Sequence, residues 1–295
     1  VANAFRTKGG KSYYDQIAQD TVAMIVNDLI VVGALPQVVN AYWAVGDSAW
    51  LSDEARSSDL IKGWAAACQE SGAAWGGGET PTLVGTIAPD TIDLAGSAIG
   101  IINPKERLVL GDKLAAGDAI VLIESSGIHA NGLTLARKLA DQAPDGYHTK
   151  LADGRSYGQA LLAPTHLYIK LVRSLMEAKL DLHYMVNITG HGWRKLMRAN
   201  QDFKYVMNFV PKPQAEFDFI QKQSGSSDED MYGNFNMGAG FAVYLPANQA
   251  AQVVKLAKAA GLKAWDAGRV LSGPKQVVIE PKGLSFSGDS LGVRS

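Results

Sequence analysis

The chain has 295 residues, 47% hydrophobic and 19% charged, which is enough for two ordinary domains around a sizeable core and too apolar for disorder. Its 28 Lys and Arg against 29 Asp and Glu leave a net charge of −1, so no basic excess points to nucleic acid and no polybasic block to a membrane surface. The one cysteine, Cys68, excludes an intrachain disulfide, the apolar runs are too short to span a bilayer, and no signal peptide is visible; a soluble cytoplasmic protein is expected.

Apolar residues at 17, 18, 22, 25, 26 and 29 predict a helix over residues 15–34. A strand follows Pro36 in PQVVNAYWAVG, a second helix covers 53–71, and TIDLAGSAIGIIN (91–103) is a strand broken by small residues. Between them stands WGGGETPT, three glycines ahead of an acid and a hydroxyl. A turn at Gly117 and Asp118 opens a buried strand, 119–124, which runs through a glycine turn at Gly127 into the helix NGLTLARKLAD. The domain boundary is placed near Lys105 to Lys113, giving units 1–110 and 111–295. Beyond it, PTHLYIKLVRSLMEA reads as an amphipathic helix with Pro164 near its first turn. NITGHGWRKLMRAN is a loop opening a helix, FNMGAGFAVYLP a strand, NQAAQVVKLAKAAG a helix stopped at Gly261, and DAGRVLSG and KQVVIEP are late strands. Helices and strands alternate throughout, so the class is α/β or α+β.

Four stretches have the residue types for anion or metal chemistry. Asp20, Asn27 and Asp28 make a polar stripe on one helix, hard oxygen ligands of the kind Mg²⁺ takes when it arrives with phosphate; the plainer reading is a helix cap and a surface acid. The GGGET glycines bring backbone amides close to an anion, with Glu79 beside them for a cation, or they form a turn. SSGIHANG, between strand and helix, is a phosphate cradle or an Asn131 N-cap with an exposed His129. In NITGHGWRKLMR, His191 sits between two glycines, as a proton donor or as a surface ring; Arg194 and Arg198 are one turn apart, which also fits a solvated face. No P-loop, Rossmann turn, CxxC or HExxH is present.

Taken in order, DTVAMIVNDLIVVGALP, GGGET, SSGIHANGLTLARK, ITGHGWRKLMR and MYGNFNMGAGF resemble phosphoribosylformylglycinamidine cyclo-ligase, the aminoimidazole ribonucleotide synthetase family of purine biosynthesis. The resemblance covers nearly the whole chain from Asp15. It implies an N-terminal ATP-binding domain that forms a β-barrel across a homodimer, and a C-terminal α+β domain. The implied reaction is ATP-dependent: the amide oxygen of formylglycinamidine ribonucleotide is phosphorylated, and ring closure expels phosphate. The residues it implies at ATP are Asp20, Asn27, Asp28, Gly77, Gly78, Glu79 and Thr80, with Asp20, Asp28 and Glu79 on Mg²⁺. For the nucleotide substrate it implies Ser125, Ser126, Gly127, His129, Asn131, Gly132, Gly190 and Asn236, with Thr189, Gly190 and Asn236 facing the central cleft. Asn187, Thr189 and His191 fall at ring closure. The family's superfamily relatives phosphorylate other small acceptors, and a paralogue of that kind or a catalytically silent nucleotide-binding relative is the alternative.

The chain departs from the family pattern at named places. Ala41 replaces a carboxylate, Asn187 a histidine and His191 a glycine, all where substrate and ring closure would be served. HANG stands for HSNG. The family's DGVGTK has no counterpart before Asp20 beyond FRTKGGK, with Lys8 an echo of its end, so the N-terminal domain is expected to be incomplete at its start.

Overall fold

A computed structural model describes residues 1–6 and 11–292; Lys8 lies outside them. In chain order the first part holds α1 (Ala2–Phe5), α2 (Tyr14–Ile30), β1 (Leu35–Val45), α3 (Ala49–Ser52), α4 (Glu54–Ser71), β2 (Ala74–Glu79) and β3 (Ile92–Ile101). The second holds β4 (Asp118–Glu124), α5 (Leu133–Gln142), α6 (Tyr157–Leu161), α7 (Ile169–Glu177), β5 (Tyr184–Asn187) and β6 (Phe203–Met207). It ends with α8 (Ala215–Ser224), α9 (Asp228–Asn234), β7 (Ala239–Pro246), α10 (Ala250–Ala259), β8 (Ala264–Ser272), β9 (Gln276–Ile279) and β10 (Leu284–Ser287).

The first unit is a three-stranded sheet, β2-β1-β3, with α2 and α4 on one face. On β1 the alternate residues Val39, Ala41, Trp43 and Val45 point at the helices and are buried, as the two-residue strand period requires. Ala41, the site of the missing carboxylate, is therefore a core position rather than a substrate contact. The α2 residues Ala18, Val22, Val26 and Ile30, four apart, meet that face with no exposed surface. Asp53 caps α4 by accepting from the Arg56 amide, and Gly72 ends it in the left-handed region. The other sheet face is open: Ile99 and Ile101 of β3 are 65% and 53% exposed.

WGGGET is not a turn but β2, an edge strand parallel to β1 and exposed along its length. Close approach to β1 explains Gly76 and Gly78, and a φ of 129° explains Gly77. A Cβ on Gly78 would lie 2.1 Å from the Ala41 carbonyl oxygen, and one on Gly76 2.4 Å from Val38 Cγ1.

The second unit is a seven-stranded sheet, β10-β9-β6-β8-β4-β7-β5, antiparallel except for β6 beside β9. Its central strands β4 and β7 are covered on both faces, which is why their sequences are continuous apolar runs rather than alternating ones. Ala119, Val121, Ile123, Phe241, Val243 and Leu245 join one core with α7, α10 and the helices of the first unit. Their neighbours Ile120, Leu122, Ala242 and Tyr244 join a separate core with α5, α6 and α8. Pro164 does not start a helix. Residues 163–167 are irregular, and α7 begins at Ile169. No helix of the described residues is long and apolar enough to cross a membrane.

Candidate active site

The end of α2 and strand β5 face each other across a cleft of ≈ 300 Å³ lined by Asp28, Val31, Val32, Asn187, Lys195 and Arg198 among others. A neighbouring depression of ≈ 100 Å³ shares Lys195 and Arg198 and adds His191, Leu291 and Gly292. Asn187 donates its amide to Asp28 Oδ1 at 2.9 Å. Lys195 donates to the Asn187 carbonyl at 3.2 Å and to the Thr189 hydroxyl. Burial lowers the Lys195 pKa, and the Asp28 carboxylate opposes that shift. The lysine lies on the 3-10 turn Gly192–Met197, buried rather than on a solvated face. Its charge type was visible in the sequence, but its inward direction was not. His191 is exposed, and partial burial with the cations Arg194, Lys195 and Arg198 lowers its pKa, so the ring is neutral near pH 7.

In the loop after β4, Asn131 lies beside Gly190, the residue before His191: a Cβ on Gly190 would come 3.1 Å from Asn131 Oδ1. His129 is 1% exposed, and its Nε2 accepts from the Ser126 amide at 2.9 Å, so the ring proton sits on Nδ1. Burial pushes the pKa of this histidine down to about 3 and keeps it neutral. The exposed ring of the plainer reading is thereby excluded. Asn131 does not cap α5; its amide donates to the His129 carbonyl at 2.6 Å, and Gly132 takes the N-cap position. Both His129 and Ala130 adopt positive φ, at 53° and 54°. Ser125 and Asn236 are buried beneath the loop and do not face the cleft. The serine hydroxyl donates to Asn236 Oδ1 at 2.8 Å, and Asn236 Nδ2 donates to the Gly127 carbonyl at 2.8 Å. A support absent from the sequence reading is Glu216 on α8, fully buried, paired with Arg155 at 2.8 Å, its Oε1 turned toward Gly127.

The expected polar stripe on α2 divides. Asp20 Oδ1 accepts the amide and hydroxyl of Thr165 at 2.8 and 2.6 Å, and Asn27 is bonded to backbone at His166 and Tyr168. Only Asp28 reaches the cleft. Glu79 and Thr80, with Gly77 and Gly78, lie exposed on and just after β2. Among the described residues no three His, Cys, Asp or Glu side chains come together as a metal site, so Asp20, Asp28 and Glu79 are not a cation-binding trio within one chain. The donor set that does fit is smaller: Asp28, one carboxylate in a cationic cleft, suits a Mg²⁺ whose other ligands are phosphate and water.

Fold and site together define a two-unit α/β protein with a cleft between its units lined by Asp28, Lys195 and Arg198, and no P-loop. The chain belongs to the AIR synthase family. Residues 5–102 match the N-terminal domain of AIR synthase related proteins and residues 115–280 their C-terminal domain. A phosphoribosylformylglycinamidine cyclo-ligase of Carboxydothermus hydrogenoformans is 35% identical over 273 residues, covering 90% of this chain and 77% of that protein. The fold is also similar to that of E. coli HypE, a hydrogenase maturation protein, with 16% identity, a TM-score of 0.66, and 92% and 78% of the two chains covered. A HypE structure in complex with ATP gives 0.67 at 18% identity over the same shares. The thiamine-monophosphate kinase of Stenotrophomonas maltophilia gives 0.65 at 20% identity, over 92% and 80%.

Proposed function

We propose that this protein is an ATP-dependent cyclo-ligase that converts formylglycinamidine ribonucleotide to aminoimidazole ribonucleotide in purine biosynthesis. The observation that carries the reading is the cluster of Lys195, Arg198 and His191 opposite Asp28 at the junction of the two family domains. ATP transfers its γ-phosphoryl group to the substrate's amide oxygen, making that oxygen a leaving group; the neighbouring nitrogen attacks the activated carbon, the C–O bond breaks, and phosphate departs. Lys195 and Arg198 offset charge on the phosphoryl oxygens, and the half-dry setting of Lys195 strengthens that interaction. The loop Ser126–Gly132 orients the substrate. Asn187 holds Asp28 and cannot exchange a proton near neutral pH, so the proton lost on ring closure passes to neutral His191 or to water. Asp28 would hold a Mg²⁺ brought by the nucleotide, and the ion would supply further charge neutralisation.

The open face of the β2-β1-β3 sheet supports a homodimer, since Ile99 and Ile101 are otherwise left to solvent. A cytoplasmic setting accords with a lone free and buried Cys68. The test is product formation: the purified full-length protein, given ATP, Mg²⁺ and formylglycinamidine ribonucleotide, yields aminoimidazole ribonucleotide and ADP in equal amounts. ADP release without the imidazole product would move the activity to another acceptor.

A further inference from the structure

One short irregular segment, residues 164–168, receives hydrogen bonds from both units. From α2, Asp20 Oδ1 accepts the Thr165 amide and hydroxyl at 2.8 and 2.6 Å, and Gln19 donates to the Thr165 carbonyl at 2.9 Å. Asn27 donates to the His166 carbonyl at 2.8 Å and accepts the Tyr168 amide at 3.1 Å. From the other side, the Ser126 hydroxyl donates to the Pro164 carbonyl at 2.6 Å, and the Tyr168 hydroxyl donates to the Glu124 carbonyl at 2.7 Å. The Ser126 amide in turn holds His129 Nε2. An unbroken path of contacts therefore runs from Asp20 through Thr165, Pro164 and Ser126 to His129.

We infer that Gln19, Asp20 and Asn27 are positioning residues, and that residues 164–168 form a strut by which α2 of the first unit sets the substrate loop of the second. The loop needs such a support. Two successive non-glycine residues at positive φ, His129 and Ala130, persist only where the surroundings hold them. A helix cap would not account for three side chains of one helix ending on Thr165, His166 and Tyr168 of the other unit. The strut requires an acceptor at Asp20 and not a charge: an amide oxygen takes the same two hydrogen bonds.

That distinction gives the test, whose kinetic arm rests on the cyclo-ligase reading and whose spectroscopic arm does not. The full-length protein is labelled with ¹⁵N-histidine and compared with Asp20→Ala, Asp20→Asn and Thr165→Val. Asp20→Ala and Thr165→Val are expected to move the buried His129 imidazole signals and to lower kcat between about 10- and 100-fold, with KM for ATP changed less than about two-fold. Asp20→Asn returns both readouts toward wild type. Thr165→Val, nearly equal in volume, carries the test alone if Asp20→Ala does not fold. An Asp20→Ala protein with unmoved His129 signals overturns the proposal, and so does an Asp20→Asn protein as slow as Asp20→Ala. Absence of product from the wild type would sink the cyclo-ligase reading instead, while the imidazole signals still decide the strut.

Discussion

Asp20 is half-buried and His129 buried, and the loss of water around these two titratable groups acts on stability with opposite pH dependence. Asp20 is raised from 3.8 to about 7 by burial, so the folded chain keeps a proton that the unfolded chain has lost; its stability cost appears as pH rises from 3.8 and is complete above 7. His129 is lowered from 6.5 to about 3, so its contribution is full above 6.5 and is lost as pH falls toward 3, at about 1.4 kcal/mol per pH unit. Asp20→Asn removes only the first effect. Its melting temperature is expected to exceed that of the wild type near pH 8 and to match it by about pH 4, as read by calorimetry. At the cleft, Lys195→Met keeps the side chain's length and removes its charge. It is expected to lower kcat/KM by roughly 10²-fold, the loss typical of one donor to developing charge, while the urea midpoint moves little. A variant that turns over normally would remove Lys195 from the phosphoryl site. The sequence displayed Lys195 next to Arg194 and could not distinguish them. A 3-10 turn, rather than the predicted helix, sends one inward to Thr189 and the other to the carbonyls of Gly233 and Ser290.

At the scale of elements, periodicity located α2, β1, α4, β3, β4, α5 and α10 because each has side chains that sort to one or two faces. It could not locate β2, since a glycine run has no side chains to alternate; Gly76 and Gly78 are instead set by the close approach of Val38, Asn40 and Ala41 of β1. Nor could it place the start of α7. Proline favours a helix's first turn, but here the hydrogen bonds of α2 to Thr165, His166 and Tyr168 keep the preceding residues irregular. Gly78→Ala tests the β2 account: a methyl against the Ala41 carbonyl should destabilise by about 1–3 kcal/mol in chemical denaturation. Unchanged stability would show that the edge strand can move away from β1. Of the residues the sequence nominated, Asp28, Asn187 and His191 line the cleft and its neighbouring depression; the order of the motifs along the chain carried no information on direction. Asp20, Asn27, Ser125 and Asn236 all belong to the site's motifs, and all four turn their polar atoms to protein partners.

For the whole molecule, the open sheet face makes a definite expectation about assembly. Ile99→Lys puts a charge on that face, on the edge strand β3, without touching either core, and should convert a dimer to a monomer in sedimentation at micromolar concentration. A wild-type monomer would remove the homodimer from the proposal. The two cores have a separate consequence for how the chain comes apart. Because neighbouring residues of β4 and β7 belong to different cores, and one of these is shared with α2, β1 and α4, the family's division near residues 102–115 marks inheritance rather than independence. Cutting the chain there would bare the apolar sides of α7 and β5 that α2 covers. Residues 115–280 expressed alone should bind a dye specific for exposed apolar surface and precipitate, whereas the two pieces synthesised together should recover a single melting transition.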